Sequence, residues 1–363
     1  MSRDVFLDYI RAMAALFVFF AHKGDKLPGG SIGVSIFFCL SGYLITKILI
    51  GLPELSIANI GKFIFRRVMR IWPLMAVQIF VTLGLMMVFA PESAALFQQN
   101  ILKFLVFMGY GPWLGYAPGV LWTLRTEFWF YAIFPFIFAL FYPRGLMFYA
   151  AIAMIAIGWF SKLSLGQEGG ANFAPSMTLV YLDQLMYGAV CALLLASPLA
   201  TLANLFASKW WFWGCLVLNL GIAKFVPLHA FDTKFYLLMS LSALSCAVAI
   251  LHHAARKAQP PDNFISWIGR ISFSIYLFHA VVIDFLPTGK IAPPIDTPLA
   301  LAVTLLISWA SERWVERPGI RLSKAIAVFK ERRGVSGAEL PGQRPLLSPK
   351  MLGAQISRSA NCR

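Results

Sequence analysis

Ten apolar stretches of bilayer-spanning length recur along this chain, near residues 5–22, 31–50, 72–91, 121–142, 145–162, 177–196, 210–228, 235–254, 267–287 and 297–315. A helix needs about 20 predominantly apolar residues to cross the hydrocarbon core. Composition agrees: of 363 residues, 59% are apolar and only 13% are charged. A soluble domain carries about a quarter charged residues and under half apolar ones. A soluble core of this size cannot hide so much apolar surface, because surface grows too slowly against volume. A soluble enzyme, a disordered chain and a collagen-like or coiled-coil fibre are thereby excluded. The expected fold is all-α, a polytopic membrane protein of about ten transmembrane helices. A shorter run at 101–112 falls below spanning length and reads as re-entrant or interfacial.

The net charge of +15 does not indicate nucleic-acid binding. From Arg317 to the end the chain carries ten Lys/Arg against Glu331 and Glu339, so more than half of the excess sits in one tail. Residues 1–321 read as one transmembrane domain, and 322–363 as a basic, flexible cytoplasmic tail. Lys47, Lys62, Arg66, Arg67 and Arg70 flank the loop after the second span, which ten spans place on the same side as the tail. The positive-inside rule makes that side cytoplasmic, with both termini inside. Lys23, Lys26, Lys103, Lys162, Lys224, Lys234 and Lys290 then fall outside. The first apolar stretch holds Asp8 and Arg11, which is wrong for a cleaved leader. The five cysteines show no CxxC pair and no zinc spacing, so neither a disulfide framework nor a metal site is expected.

Ionisable side chains within spans are costly unless they face a partner or a cavity, so each is a functional candidate. In VFLDYIRAMAALFVFFAH, Arg11 and His22 lie eleven residues apart, three helical turns plus about 20°, with Asp8 one turn below Arg11. One reading is an Asp8–Arg11 pair that locks helix packing. The other is a polar passage through the membrane with His22 as its base, since imidazole is partly neutral and basic near neutral pH. Arg67 and Arg70 share a helical face at the cytoplasmic mouth, and two guanidinium forks suit phosphate. Glu127 sits two turns into LWTLRTEFWFYAIFP, after Trp122 and at a depth similar to His22, where it could orient the imidazole. Ser272, Tyr276 and His279 line one face of the ninth span, as a packing stripe or a substrate contact. Asp183 and Asp284 are further buried carboxylates.

Several of these segments resemble one family. LDYIRAMAALFVFFAH followed by GVSIFFCLSGYLIT is similar to the opening of the acyltransferase-3 family of bacterial membrane acyltransferases. RRVMRIWP resembles its arginine-rich element, LWTLRTEFWFYAIFP its Trp-Thr/Ser-Leu…Glu…Phe-Tyr motif, and WIGRISFSIYLFH and WVERP its last two helices. Five motifs in order cover about residues 5–320. The resemblance implies a ten-helix domain of the bacterial inner membrane, with no bound cofactor. It also implies transfer of an acyl group, most often acetyl, from a cytoplasmic acyl-CoA to a hydroxyl of a polysaccharide, lipopolysaccharide or other glycolipid. The family's Arg-x10-His element falls on Arg11 and His22, its Arg-x-x-Arg element on Arg67 and Arg70, and its motif glutamate on Glu127. Ser35 stands where many members carry Asp, and Arg125 adds a charge beside Glu127.

The residues then take roles. His22, Glu127 and Asp8 are expected at the chemistry. Arg11, Arg67, Arg70, His279, Tyr276 and Trp122 are expected to bind substrate. The donor's phosphates would dock at Arg67 and Arg70, and its pantetheine arm would thread past Arg11. His22, oriented by Glu127 or Asp8, would take the acceptor's proton. The rival readings are a glycolipid or polysaccharide transporter or flippase without acyl transfer, and a structural membrane subunit. A transporter would be expected to show a duplicated half, which the sequence lacks.

Overall fold

The computed structural model describes residues 3–23, 27–107, 119–165, 177–225, 233–286, 293–323 and 325–326. Helices build it, and no strand occurs among the described residues. In chain order they are α1 (Val5–His22), α2 (Ile32–Ile50), α3 (Ile57–Phe89), α4 (Pro91–Leu105), α5 (Trp122–Phe141), α6 (Met147–Leu165) and the single turn α7 (Met177–Val180). After α8 (Leu182–Leu195) and a 3-10 segment (Pro198–Phe206) come α9 (Lys209–Phe225), α10 (Thr233–Arg256), α11 (Phe264–Arg270) and α12 (Ser272–Phe285). The last is α13 (Pro293–Ser311), which runs into a π-helical turn at Glu312–Glu316. The chain divides into Met1–Ile320 and Arg321–Arg363. The tail expected over 322–363 lies almost wholly outside the described residues, as does the 108–112 end of the run read as re-entrant.

Six of these helices are long and apolar enough to cross a membrane, or eight if two bent pairs each count as one span. The chain is therefore a multi-pass membrane protein, and the count of ten is not reached on these grounds. The run at 177–196 ends where Pro198 follows Ser197, and α8 bends by 117° into the 3-10 segment. The run at 267–287 breaks at Ile271, where α11 and α12 meet at 78°. The run at 210–228 gives α9, of 17 residues. At 1.5 Å per residue α3 is about 50 Å long, more than the hydrocarbon core needs, so its arginine-bearing first third reaches the bilayer face. Large apolar side chains such as Phe80, Val88, Phe160, Val217 and Leu306 point outward, as a lipid solvent requires.

Local rules set the helix starts. The Asp4 carboxylate accepts from Phe6 N–H at 3.1 Å and caps α1. Asn263 and Ser266 form a reciprocal capping box at α11. Arg3 donates to both carboxylate oxygens of Asp262, at 2.6 and 3.0 Å, and Arg270 donates to one at 3.0 Å. Bonds from Arg3, and then from Ser266, hold the Asp262 carboxyl well below the usual carboxylate range. These bonds tie the N-terminal side of α1 to the α11 entry.

The centre of the fold is the crossing of α2 and α8, where two glycines face opposite backbones. A Cβ on Gly42 would stand 1.8 Å from the Leu185 carbonyl oxygen, and one on Gly188 would stand 1.9 Å from that of Cys39. Small residues let membrane helices approach this closely. Gly188→Val should therefore force the helices apart and cost about 1–3 kcal/mol or more, as overpacking does. A thermal melt of the detergent-solubilised variant measures this, and an unchanged midpoint would deny the close approach.

Candidate active site

The first helix carries its ionisable residues on one stripe, as its periodicity predicts, but each finds a different partner. Asp8 is buried between two guanidinium groups, at 2.8 Å from Arg3 Nε and 3.3 Å from Arg11 Nη1. Arg11 then faces a cavity of about 110 Å³ that Arg67 and Arg70 of α3 also line. Across from them, α5 contributes Glu127, with Tyr131 one turn on. The Glu127 carboxylate accepts from Ser41 Oγ of α2 and from Tyr131 Oη at 3.0 Å. Arg70 Nε is 3.9 Å from Glu316, which the π-helical turn places there and whose other oxygen faces Ser274 Oγ at 3.5 Å. Such wide turns recur at functional sites.

Three arginines and one carboxylate therefore line the cavity, which favours an anion. Pockets that bury drug-sized ligands run to about 300–1,000 Å³, so this cavity has room for an anion of about phosphate size. Its far wall is Tyr276 of α12. That hydroxyl accepts from Thr123 Oγ1 at 2.9 Å and donates to the Val120 carbonyl at 3.0 Å.

Beyond Tyr276 lies a histidine pair. His279 is fully buried, with its ring centroid 5.8 Å from that of Tyr276. Its Nδ1 lies 3.1 Å from the Ile275 carbonyl oxygen. A carbonyl only accepts, so Nδ1 carries the proton, and the neutral ring presents its lone pair at Nε2. That Nε2 is 2.9 Å from Nδ1 of His22, the last residue of α1. His22 therefore donates through Nδ1, and its own Nε2 is the basic nitrogen. The bonding network assigns this tautomer. Orientation of one imidazole by a second group is the arrangement that general bases use.

The structure thus gathers Arg11, Arg67, Arg70, Glu127 and Tyr276 around one cavity and puts His22 with His279 next to it. Glu127 and Asp8, expected to orient His22, are engaged elsewhere, with Ser41 and Tyr131 and with Arg3 and Arg11. His22 is not among the residues that line the arginine cavity; Tyr276, which lines it, has its ring 5.8 Å from that of His279, the partner of His22. Trp122 packs outside the cavity, its ring 5.0 Å from that of Tyr181 and 6.1 Å from that of Phe38. Sequence reasoning missed Ser41 and Glu316. The available signals were a lone hydroxyl in an apolar helix and an acid inside WVERP.

The family's sequence model, described as an acyltransferase domain, matches residues 4–313. The chain belongs to the acyltransferase-3 family. Among relatives of this acyltransferase domain, the peptidoglycan O-acetyltransferase OatA of Listeria monocytogenes is 28% identical, over 89% of this chain and 57% of its own length. The O-acetyltransferase OatA of Staphylococcus aureus is 25% identical, over 90% of this chain and 59% of its own. A putative O-acetyltransferase of Staphylococcus aureus is likewise 25% identical, over 86% and 56%. The acyltransferase-3 chain thus spans somewhat more than half the length of these relatives. No solved structure matches it.

Proposed function

We propose that this chain is an O-acyltransferase of the bacterial inner membrane, with ten spans and both termini cytoplasmic. It moves an acyl group, acetyl by family likeness, from acyl-CoA to a carbohydrate hydroxyl. The named relatives are O-acetyltransferases, one of them acting on peptidoglycan, and that supports a glycan or glycolipid acceptor. The observation that carries the reading is the oriented imidazole of His22, with Ile275, His279 and His22 in one hydrogen-bonded line beside an arginine-lined cavity.

In the reaction the acceptor hydroxyl gives its proton to Nε2 of His22. Its oxygen forms the new bond to the acyl carbon, the carbon–sulfur bond breaks, and the thiolate takes the proton back from the imidazolium. The products are an ester and free thiol. Arg67 and Arg70 hold the donor's phosphates, and Arg11 draws its arm inward. Glu127, fixed by Ser41 and Tyr131, balances part of their charge and keeps the guanidinium groups in place. Tyr276 must swing aside for the acyl end to reach His22.

The test uses purified protein in lipid nanodiscs with radiolabelled acetyl-CoA and a glycan acceptor. Label should move to the glycan. Arg67→Gln/Arg70→Gln should raise KM for acetyl-CoA roughly ten- to a hundredfold through lost charge-assisted bonds, with kcat much less affected. Glycan movement across the bilayer without labelling would instead establish the transporter reading.

A further inference from the structure

A second cavity shares no lining residue with the arginine site. It is a groove of about 830 Å³ between α1 and α9, walled by Met13, Leu16 and Phe20 on one side and Phe212 and Leu216 on the other, with Ala249 of α10 at its floor. From Phe6 to Phe20 it follows α1 over fourteen residue steps, about 21 Å. An apolar gap of this size inside a bilayer forfeits dispersion contacts along its whole lining unless something fills it, and the solvent at hand there is a hydrocarbon chain.

The groove is not uniformly apolar. His253, Arg256 and Gln259 mark one end. At that end Trp210, Trp211 and Trp213 of α9 stand exposed, which is the signature of the headgroup level. Arg256 Nη1 donates to the Ala207 carbonyl at 3.3 Å. It therefore lies beside the first turn of α9, whose N–H ends carry partial positive charge. Lys257 follows in the left-handed conformation, φ 54°, that ends α10. The nearby acids are already engaged: Asp4 lies 3.1 Å from His253 Nε2, and Asp262 is held by Arg3 and Arg270. Neither Arg256 nor Lys257 is paired with a carboxylate among the described residues. Arg256, which lines the groove, and Lys257, next to it in sequence and outside the lining, are both exposed at the headgroup end and are complementary to a lipid phosphate carrying net charge.

We propose that this groove binds an anionic phospholipid, with one acyl chain along α1 and the phosphate at Arg256 and Lys257. The inference is independent of the acyltransfer reading, because it uses none of the residues placed there.

Native mass spectrometry of the protein released from nanodiscs of equimolar phosphatidylglycerol and phosphatidylcholine tests it. The wild type should keep one phosphatidylglycerol in clear preference. Arg256→Gln/Lys257→Gln should lower that preference roughly fivefold per charge removed, from about 1 kcal/mol for each cation near the surface. Leu216→Trp, which fills the groove from a half-exposed position, should lower retention of both lipids while the charge variant still retains phosphatidylcholine. Equal retention of the two lipids by the wild type would overturn the proposal. So would an unchanged preference in the charge variant, or undiminished retention by Leu216→Trp at wild-type melting temperature.

Discussion

Replacing His22 with alanine is expected to lower acyl transfer by roughly 10²–10⁴-fold, the usual contribution of a positioned general base, with protein level and melting temperature held. His22 is partly buried at the end of α1, so the melting temperature is read beside the rate, and a loss of rate at the wild-type melting temperature reports chemistry and not folding. His279 makes the stricter test, because it is assigned to act through His22. His279→Leu removes the imidazole acceptor facing His22 Nδ1–H and so weakens the hold on the tautomer that puts the lone pair on Nε2, with the bond of His22 to the Val18 backbone left in place. Loss of tautomer control costs about 10⁴ in kcat where a triad carboxylate is replaced by its amide. A somewhat smaller loss is expected here, since imidazole is a neutral acceptor. The fall should appear in kcat with KM for acetyl-CoA kept. His279→Gln, whose side-chain carbonyl can also accept, should recover part of it. Wild-type rates from His279→Leu would dismiss the relay, and wild-type rates from His22→Ala would remove the imidazole from the reaction altogether.

What could be read in the sequence was local. Helical arithmetic put Asp8, Arg11 and His22 on one stripe, and the Asp8–Arg11 contact one turn apart forms at 3.3 Å. The Glu127–Tyr131 bond is an i, i+4 pair of the same kind. The His22–His279 contact joins residues 257 positions apart, and periodicity within one helix carries no information about which distant helix it will meet. The same gap explains the pairing expected between His22 and Glu127, which rested on similar depth in the membrane. Depth fixes one coordinate and leaves the position around the bundle open. Hydropathy found the apolar runs but not their bends, because a break at Ile271 leaves the composition of the run unchanged. Glu316 was hidden for a related reason: a π-helical turn rotates it off the face that a regular helix would give it.

Lys162→Met is expected to destabilise the protein by about 3–5 kcal/mol, the cost of leaving one member of a buried ion pair alone. By topology Lys162 was expected among the outer loop charges, yet its side chain is 0% exposed, as is that of Asp183. Its ammonium pairs with Asp183 and donates to Ser240 Oγ at 2.5 Å, while Ser240 donates to the other Asp183 oxygen at 2.7 Å. The Nζ also stands 5.5 Å from the centre of the Trp159 ring. This cluster joins α6, α8 and α10 and lies outside both cavities, so it serves packing. Removing both charges, as Lys162→Met/Asp183→Leu, should bring the unfolding midpoint back to near the wild-type value or above it, since a matched apolar pair often equals a buried salt bridge. Acyl transfer by the double variant should then stay near wild type. Thermal unfolding of the three proteins in nanodiscs reads the coupling directly. A single variant as stable as the wild type would mean that the Asp183 carboxyl is neutral and the pair is not an ion pair. A stable double variant that has lost transfer would move the cluster from packing into the path of a proton.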